Sequence, residues 1–246
     1  MLFEMAASAD EGESEAEVRL TFGSYLPPVR FVNDSAEEIL LLWAIQQPTL
    51  SKQNSFVRHS SLRLDIEACG RRLTISQSPS SMSTPGVTGA VMWDSGVVLG
   101  KFLEHAVDSR MLVLHGKKLL KKNIETNIEG NARGSAMVTE LEWGDEPDCE
   151  LIDPLPDFVL GSDVIYSEGA VTDLLVTLRQ LSGAHTTIFL AGELRNDVVL
   201  ECFLEEAMKE FVVGHVDQAQ WHPDYCSHRV AMFVLVKKSQ KRGLRE

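Results

Sequence analysis

The chain has 246 residues, 44% of them hydrophobic and 24% charged, a composition that fits one globular domain with a modest appendage. The formal net charge is −13, with a pI near 5.0. That balance argues against non-specific nucleic-acid binding, which needs Lys and Arg to displace phosphate counterions. It suits a basic, lysine-bearing protein partner, and simple solvation explains it equally well. No apolar run approaches the ~20 residues of a membrane span. The four cysteines, Cys69, Cys149, Cys202 and Cys226, form no C-x-x-C pair and read as free thiols in a reducing compartment.

Residues 1–20 read as a disordered acidic tail: Glu4, Asp10, Glu11, Glu13, Glu15 and Glu17 stand there among Ala, Ser and Gly. This start lacks the basic character of a targeting peptide, so the expected address is the cytosol, with access to the nucleus. Residues 21–85 read as an appendage of one helix and one hairpin. The helix is SAEEILLLWAIQQP, opened by a Ser35–Glu38 capping box and stopped by Pro48. The hairpin pairs Leu62-Leu64-Ile66 with Leu73-Ile75 around ACGRR, since period-two alternation flanks a glycine turn. SPSSMSTPGVTG is a loop by composition.

Residues 86–238 read as the main domain. A helix over WDSGVVLGKFLEHA takes Asp94 as its N-cap, and KKLLKKNIETNIE reads as a second helix. Strands are expected at AMVTELEW, DFVLGSDVIY and TTIFLAGEL, with helices at EGAVTDLLVTLRQL and NDVVLECFLEEAMKE between and after the last two. FVVGHVDQA and RVAMFVLVKK close the domain as strands with no helix between them. Such alternation predicts an α/β sheet covered on both faces, ending in an antiparallel pair. Residues 239–246 form a short basic tail.

In an open α/β sheet, ligands bind beyond the carboxyl ends of the strands. Trp93, Trp143, Ser162, Asp163, Tyr166, Glu193 and Arg195 would gather on that rim. Each has a plainer reading as well. The tryptophans suit a core or interface, Asp163 could cap the following helix, and Glu193 with Arg195 could be a surface ion pair. His222, Cys226 and His228 in WHPDYCSH offer at most three ligands and lack the paired spacing of a structural zinc site, so no metal is expected. Lys117, Lys118, Lys121 and Lys122 read as a solvated helix start rather than a basic patch.

Four segments in order resemble the family-16 seven-strand methyltransferases: TGAVMWDSGVVLGKFLE as the leading helix, LEWGDE as the tryptophan-bearing strand end, FVLGSDVIYSE as the D-x-x-Y segment, and ELR as the E-x-R. The resemblance runs from about Phe56 to Lys238. It implies an α/β, Rossmann-like fold with an antiparallel end strand. It also implies S-adenosylmethionine-dependent methyl transfer to the ε-amine of a lysine on a protein substrate, of the ATPase or chaperone kind. By the family's pattern Trp93, Trp143 and Ser162 would contact S-adenosylmethionine, and Asp163 and Tyr166 would line the channel for the target lysine.

The same pattern calls for a glycine-rich turn after the first strand and an acid after the second, to bind the ribose. No two glycines in this chain stand at G-x-G spacing. LHGKK and LLKKN are fused at Lys118–Leu119, so a βαβ unit of on the order of 30 residues is expected to be missing. MLVLHG is a candidate substitute for the first strand. The alternative reading of such a chain is a catalytically inactive binding or regulatory module.

Overall fold

The computed structural model describes residues 25, 27, 29–46, 56–84, 89–114, 119–121 and 141–238. In chain order the elements are β1 (Arg30–Phe31), α1 (Ser35–Gln46), β2 (Arg63–Ala68), β3 (Arg71–Ser76), α2 (Asp94–Asp108), β4 (Leu119–Lys121) and α3 (Cys149–Ile152). There follow β5 (Phe158–Ser162), α4 (Glu168–Gln180), β6 (Thr187–Glu193), α5 (Asp197–Glu210), β7 (Phe211–His215) and β8 (Val230–Lys237). Both tails and the Pro48 stop lie outside the described residues, as do Lys117, Lys118 and Lys122.

Among the described residues the main sheet has six strands, in the order β1-β7-β8-β6-β5-β4, and β2 and β3 pair separately. β4, β5 and β6 are parallel, whereas β8 runs antiparallel to both β6 and β7. This is the mixed α/β, Rossmann-like arrangement that the alternation implied, with the reversed strand seated inside the sheet and β1 at its edge. The central strands β6 and β8 are largely apolar because both faces are covered. Ile188, Leu190, Phe233 and Leu235 point into a core with α4 and α5, while Phe158, Phe189, Ala191, Met232 and Val234 point into a second core with α2. Phe158 and Phe189 are fully buried, each contributing on the order of 1.5–3 kcal/mol through the area it removes from water.

The hairpin forms as expected, its two-residue turn at Cys69 and Gly70 having φ of 50° and 68°. That left-handed pair matches the twist of the flanking strands. Elsewhere tertiary contacts redirect the capping residues. The helix α1 is capped by Asp34, whose Oδ1 accepts from the Glu37 N–H at 2.8 Å. The Ser35–Glu38 box gives way because the Glu38 carboxylate is drawn inward to Arg30 and His215. Trp93, not Asp94, is the N-cap residue of α2, and it makes no side-chain capping bond. The helix α4 starts from Ser167, so Asp163 does not cap it. Within the composition-defined loop, Pro79–Ser83 winds into a 3-10 turn.

The largest correction falls beside β5. Leu119–Lys121, read from sequence as part of a helix, is a strand paired in parallel with Phe158–Leu160. An edge there would leave the Phe158–Leu160 backbone groups unpaired, and the ladder satisfies them. Residues 111–114 of the candidate substitute strand are not extended into the sheet, and Leu112 is instead buried in the α2 core. Residues 122–129 of the expected helix, residues 136–140 of the expected AMVTELEW strand and the Lys118 side of the fusion lie outside the described residues; residues 141–143 are not strand.

Candidate active site

Strands β5 and β6 run side by side and end together, Ser162 pairing with Ala191 in register. Immediately beyond, the backbone turns at Asp163, whose φ of 58° lies in the left-handed region that Asp tolerates better than bulkier residues. Two hydrogen bonds hold that turn against β6. The Asp163 N–H donates to the Ala191 carbonyl at 2.8 Å, and the Glu193 N–H donates to Asp163 Oδ1 at 3.1 Å. The Asp163 side chain is thereby folded in, only 6% exposed.

Arg195 closes over it. Its Nη2 donates to Asp163 Oδ2 at 2.5 Å and lies 3.3 Å from Glu193 Oε2. The guanidinium carbon stands 4.2 Å from the centroid of the Trp93 ring, in cation–π range. Another side of Trp93 meets the His59 ring, with centroids 4.5 Å apart. The sequence allowed a surface pair between Glu193 and Arg195; instead Glu193 is buried.

Glu193 also reaches back to α2, where its Oε1 accepts the Asp94 N–H at 3.1 Å. Asp94 is itself buried, and its Oδ1 accepts from the Val57 and Phe56 N–H groups at 3.0 and 3.3 Å. The residue read as a cap for its own helix thus caps the chain leading into the hairpin. Burial pushes the Glu193 carboxyl above the ordinary carboxylate range; the Arg195 charge opposes this, and the Asp163 and Asp94 carboxylates add to it.

The other expected site residues form a second group on the same rim. Trp143 and Tyr166 have ring centroids 6.1 Å apart. Trp143 packs against the α4 core, and Tyr166 is 47% exposed. The turn after Trp143 is pinned by Gly144, with φ of 90°, whose N–H donates to Thr177 Oγ1 at 2.9 Å on α4. A β-carbon at Gly144 would come within 2.9 Å of Asp173 Oδ1, so glycine is required on two counts. Ser162 faces the first turn of α2, where a β-carbon on Gly96 would stand 3.3 Å from its Oγ. The loop from Ser162 to Ser167 carries Asp163 to one group and Tyr166 to the other.

Sequence reasoning missed the role of Asp94 and the burial of Glu193. A signal existed for Glu193, because it continues the apolar strand TIFLAGE and ends it with a charge where the sheet is covered on both faces. Nothing in the sequence ties Asp94 to residues 56 and 57. In WHPDYCSH, the His222 Nδ1 accepts from the Asp224 N–H at 3.2 Å and the Cys226 thiol donates to the His222 carbonyl at 3.4 Å.

Residues 113–211 match the family described as "Lysine methyltransferase". The protein N-lysine methyltransferase METTL21A of Mus musculus is 31% identical over an alignment of 186 positions, gaps included, that covers 64% of this chain and 79% of that relative. The METTL21A of Danio rerio is 29% identical over an alignment of 206 positions, gaps included, that covers 69% of this chain and 85% of the relative. EEF1A lysine methyltransferase 3 of Mus musculus is 36% identical over 89 residues, 36% of this chain and 37% of its own. The family match spans β4 to the first residue of β7, and so includes Trp143, Ser162, Asp163, Tyr166, Glu193 and Arg195.

Proposed function

The chain belongs to the lysine methyltransferase family, whose reaction is methyl transfer to a protein lysine, and from that premise we propose that S-adenosylmethionine is its donor and that the β5–β6 rim is its reaction site. The observation that carries this reading is the joining of Trp93 to Asp163 through Arg195 at the carboxyl ends of two parallel strands. A sulfonium donor and a lysine amine are both cationic. The chain's own guanidinium rests on an indole face beside two carboxylates, so the donor set on this rim accepts a cation.

When bound, S-adenosylmethionine supplies an electrophilic methyl group. Trp93, Trp143 and Ser162 would hold it, Ser162 from the same side as the start of α2. Tyr166 presents its hydroxyl to solvent, where an incoming amine arrives first. Asp163 lies deeper, beneath Arg195, and gives the approach its negative charge. A free lysine has a pKa of ~10.4, so the amine must release its proton to water before it attacks. Partial desolvation against Trp143 and Tyr166 lowers that barrier, and alignment by the loop between Ser162 and Ser167 does the rest.

The motifs resemble those of the lysine methyltransferase of the valosin-containing ATPase, so that ATPase is the first substrate to test. EEF1A, for which one relative is named, is the second, and a chaperone the third. A cytosolic location, with access to the nucleus, fits such substrates. The test is incubation with tritium-labelled S-adenosylmethionine and each protein, followed by localisation of the label. Label on a lysine is expected, falling about 100-fold or more in Asp163→Ala with the fold retained. Unchanged turnover would remove Asp163 from the site.

A second reading is favoured by one observation. The chain has no G-x-G turn, and an alignment of 186 positions with METTL21A of Mus musculus occupies only 64% of these 246 residues, so that relative carries residues within it that this chain lacks. A missing glycine turn and ribose acid would weaken the adenosine end of the donor site, and the chain would then serve as an inactive binding or regulatory module. Calorimetric titration with S-adenosylmethionine separates the two: micromolar affinity supports the enzyme, and neither binding nor transfer supports the module.

A further inference from the structure

We propose that Glu193 and Arg195 are positioning residues that hold the Trp93 indole and the Asp163 carboxylate in one fixed relation; the inference rests on the assignment of those two residues to methyl transfer. Trp93 immediately precedes α2, which covers one face of the sheet, and Asp163 begins the loop into α4, which covers the other. Two groups mounted on opposite layers share no helix or strand. Their relative placement therefore depends on what bridges the rim.

Glu193 is that bridge on the backbone side. Its N–H is bonded to Asp163 Oδ1 and its Oε1 to the Asp94 N–H, the first residue of α2. One residue thus fixes the lysine-side acid with its main chain and the start of the donor-side helix with its side chain. Arg195 is the bridge on the side-chain side. The planar guanidinium sets its carbon 4.2 Å over the Trp93 ring while its Nη2 contacts both Asp163 and Glu193. Planarity is what lets one group do both, and an ammonium on a flexible stem cannot reproduce it. Asp94 extends the frame by binding the Val57 and Phe56 N–H groups, so the segment that leads into the hairpin is anchored to the same unit.

The arrangement sets two carboxylates, Asp163 and Glu193, on one guanidinium with Asp94 beside Glu193, and burial already disfavours the charge on Glu193. A residue kept only for stability would not be expected at so uncomfortable a place. Misplacing a reacting group by about 1 Å costs on the order of 100-fold in rate, so a frame that fixes Trp93 against Asp163 is kinetically worth that discomfort.

The experiment uses the full chain labelled with 5-fluorotryptophan. Its four fluorine resonances, from Trp43, Trp93, Trp143 and Trp221, are assigned by single Trp→Phe substitutions. Glu193→Gln keeps shape and removes charge; it is expected to move the Trp93 resonance and leave those of Trp43 and Trp221 in place. Arg195→Ala should move it further, and Arg195→Lys should restore it only in part. With labelled S-adenosylmethionine and whichever protein accepts methyl, kcat is expected to fall about 10–100-fold in Glu193→Gln while the donor KM changes less than about three-fold. A Trp93 resonance that stays put in Glu193→Gln overturns the proposal, and so does a shifted resonance with unchanged kcat. A wild-type chain that neither binds S-adenosylhomocysteine nor transfers methyl sinks the catalytic assignment instead; the Trp93 resonance then still decides whether Glu193 holds the indole.

Discussion

Two buried glutamates, Glu38 and Glu193, have carboxyls pulled in opposite directions by their surroundings. Glu38 sits where α1, β1 and β7 meet. Its oxygens take both terminal nitrogens of Arg30, at 2.5 and 2.9 Å, and Nδ1 of His215 at 2.7 Å. Burial raises its pKa, yet the bonds from His215 and Arg30 outweigh burial and hold the carboxyl below the ordinary range. Glu193 must share its single cation, Arg195, with Asp163, and has Asp94 beside it as well. Its carboxyl is held above the ordinary range. Burial is common to both, so partner count makes the difference: two basic groups on one acid make a clamp, and one base shared by two acids, with a third acid beside Glu193, makes a site whose charge is held at a cost.

Breaking the clamp should have the largest effect on stability. Glu38→Ala leaves the buried His215 and the half-exposed Arg30 without their carboxylate and is expected to cost about 3–5 kcal/mol in urea unfolding. The wild type's pH dependence should carry the same signature. Because the folded carboxyl is lowered, its stabilisation is present above the unfolded value of ~4.3 and is lost as pH falls through the folded value. Glu38→Ala should remove that acid limb, and an unaltered limb would show that other carboxylates produce it.

Glu193→Gln sharpens the comparison from the other side. A raised folded pKa means that the contribution of Glu193 is fully present below ~4.3 and is lost as pH rises through the folded value, so at neutral pH the charge is a net cost. The variant is therefore expected to change stability at neutral pH by less than about 1 kcal/mol, with gain the favoured sign, although its methyl transfer falls. A loss approaching that of Glu38→Ala would make the two sites alike. The smallest effect belongs to an exposed pair, Arg179 and Glu210, at 2.8 Å with both side chains 45% exposed. Glu210→Gln should cost about 0.2–1 kcal/mol, and less in high salt.

The two clusters were unequally legible in the sequence. The D-x-x-Y and E-x-R segments marked Asp163, Glu193 and Arg195 because each ends a well-patterned strand. Even so, the plain reading of Glu193 with Arg195 was a surface pair, since sequence spacing carries no information about what covers a strand end. Glu38 was read as half of a capping box and Asp94 as a helix cap. Both residues have the local chemistry for capping, and both are used instead by partners far along the chain, His215 for one and Val57 for the other. A carboxylate near a helix start is offered a weak local bond; a buried imidazole with an arginine, or a pair of orphan N–H groups, outbids it. Leu119–Lys121 went astray similarly, because lysine- and leucine-rich segments favour helix, yet the open flank of β5 needed a parallel partner.

By itself the sequence determined the alternation of strands and helices from residue 158 onward, the two-residue hairpin turn and the acids and aromatics at the strand ends. All of these follow from short-range periodicity and from residues next to one another in the chain. Only the tertiary structure decided which acid meets which cation, that β8 lies between β6 and β7, and that Trp93 and Asp163 share one guanidinium. Those outcomes depend on desolvation and on contacts across tens to hundreds of residues, where the electrostatic environment of a group belongs to its packed neighbours rather than to its neighbours in sequence.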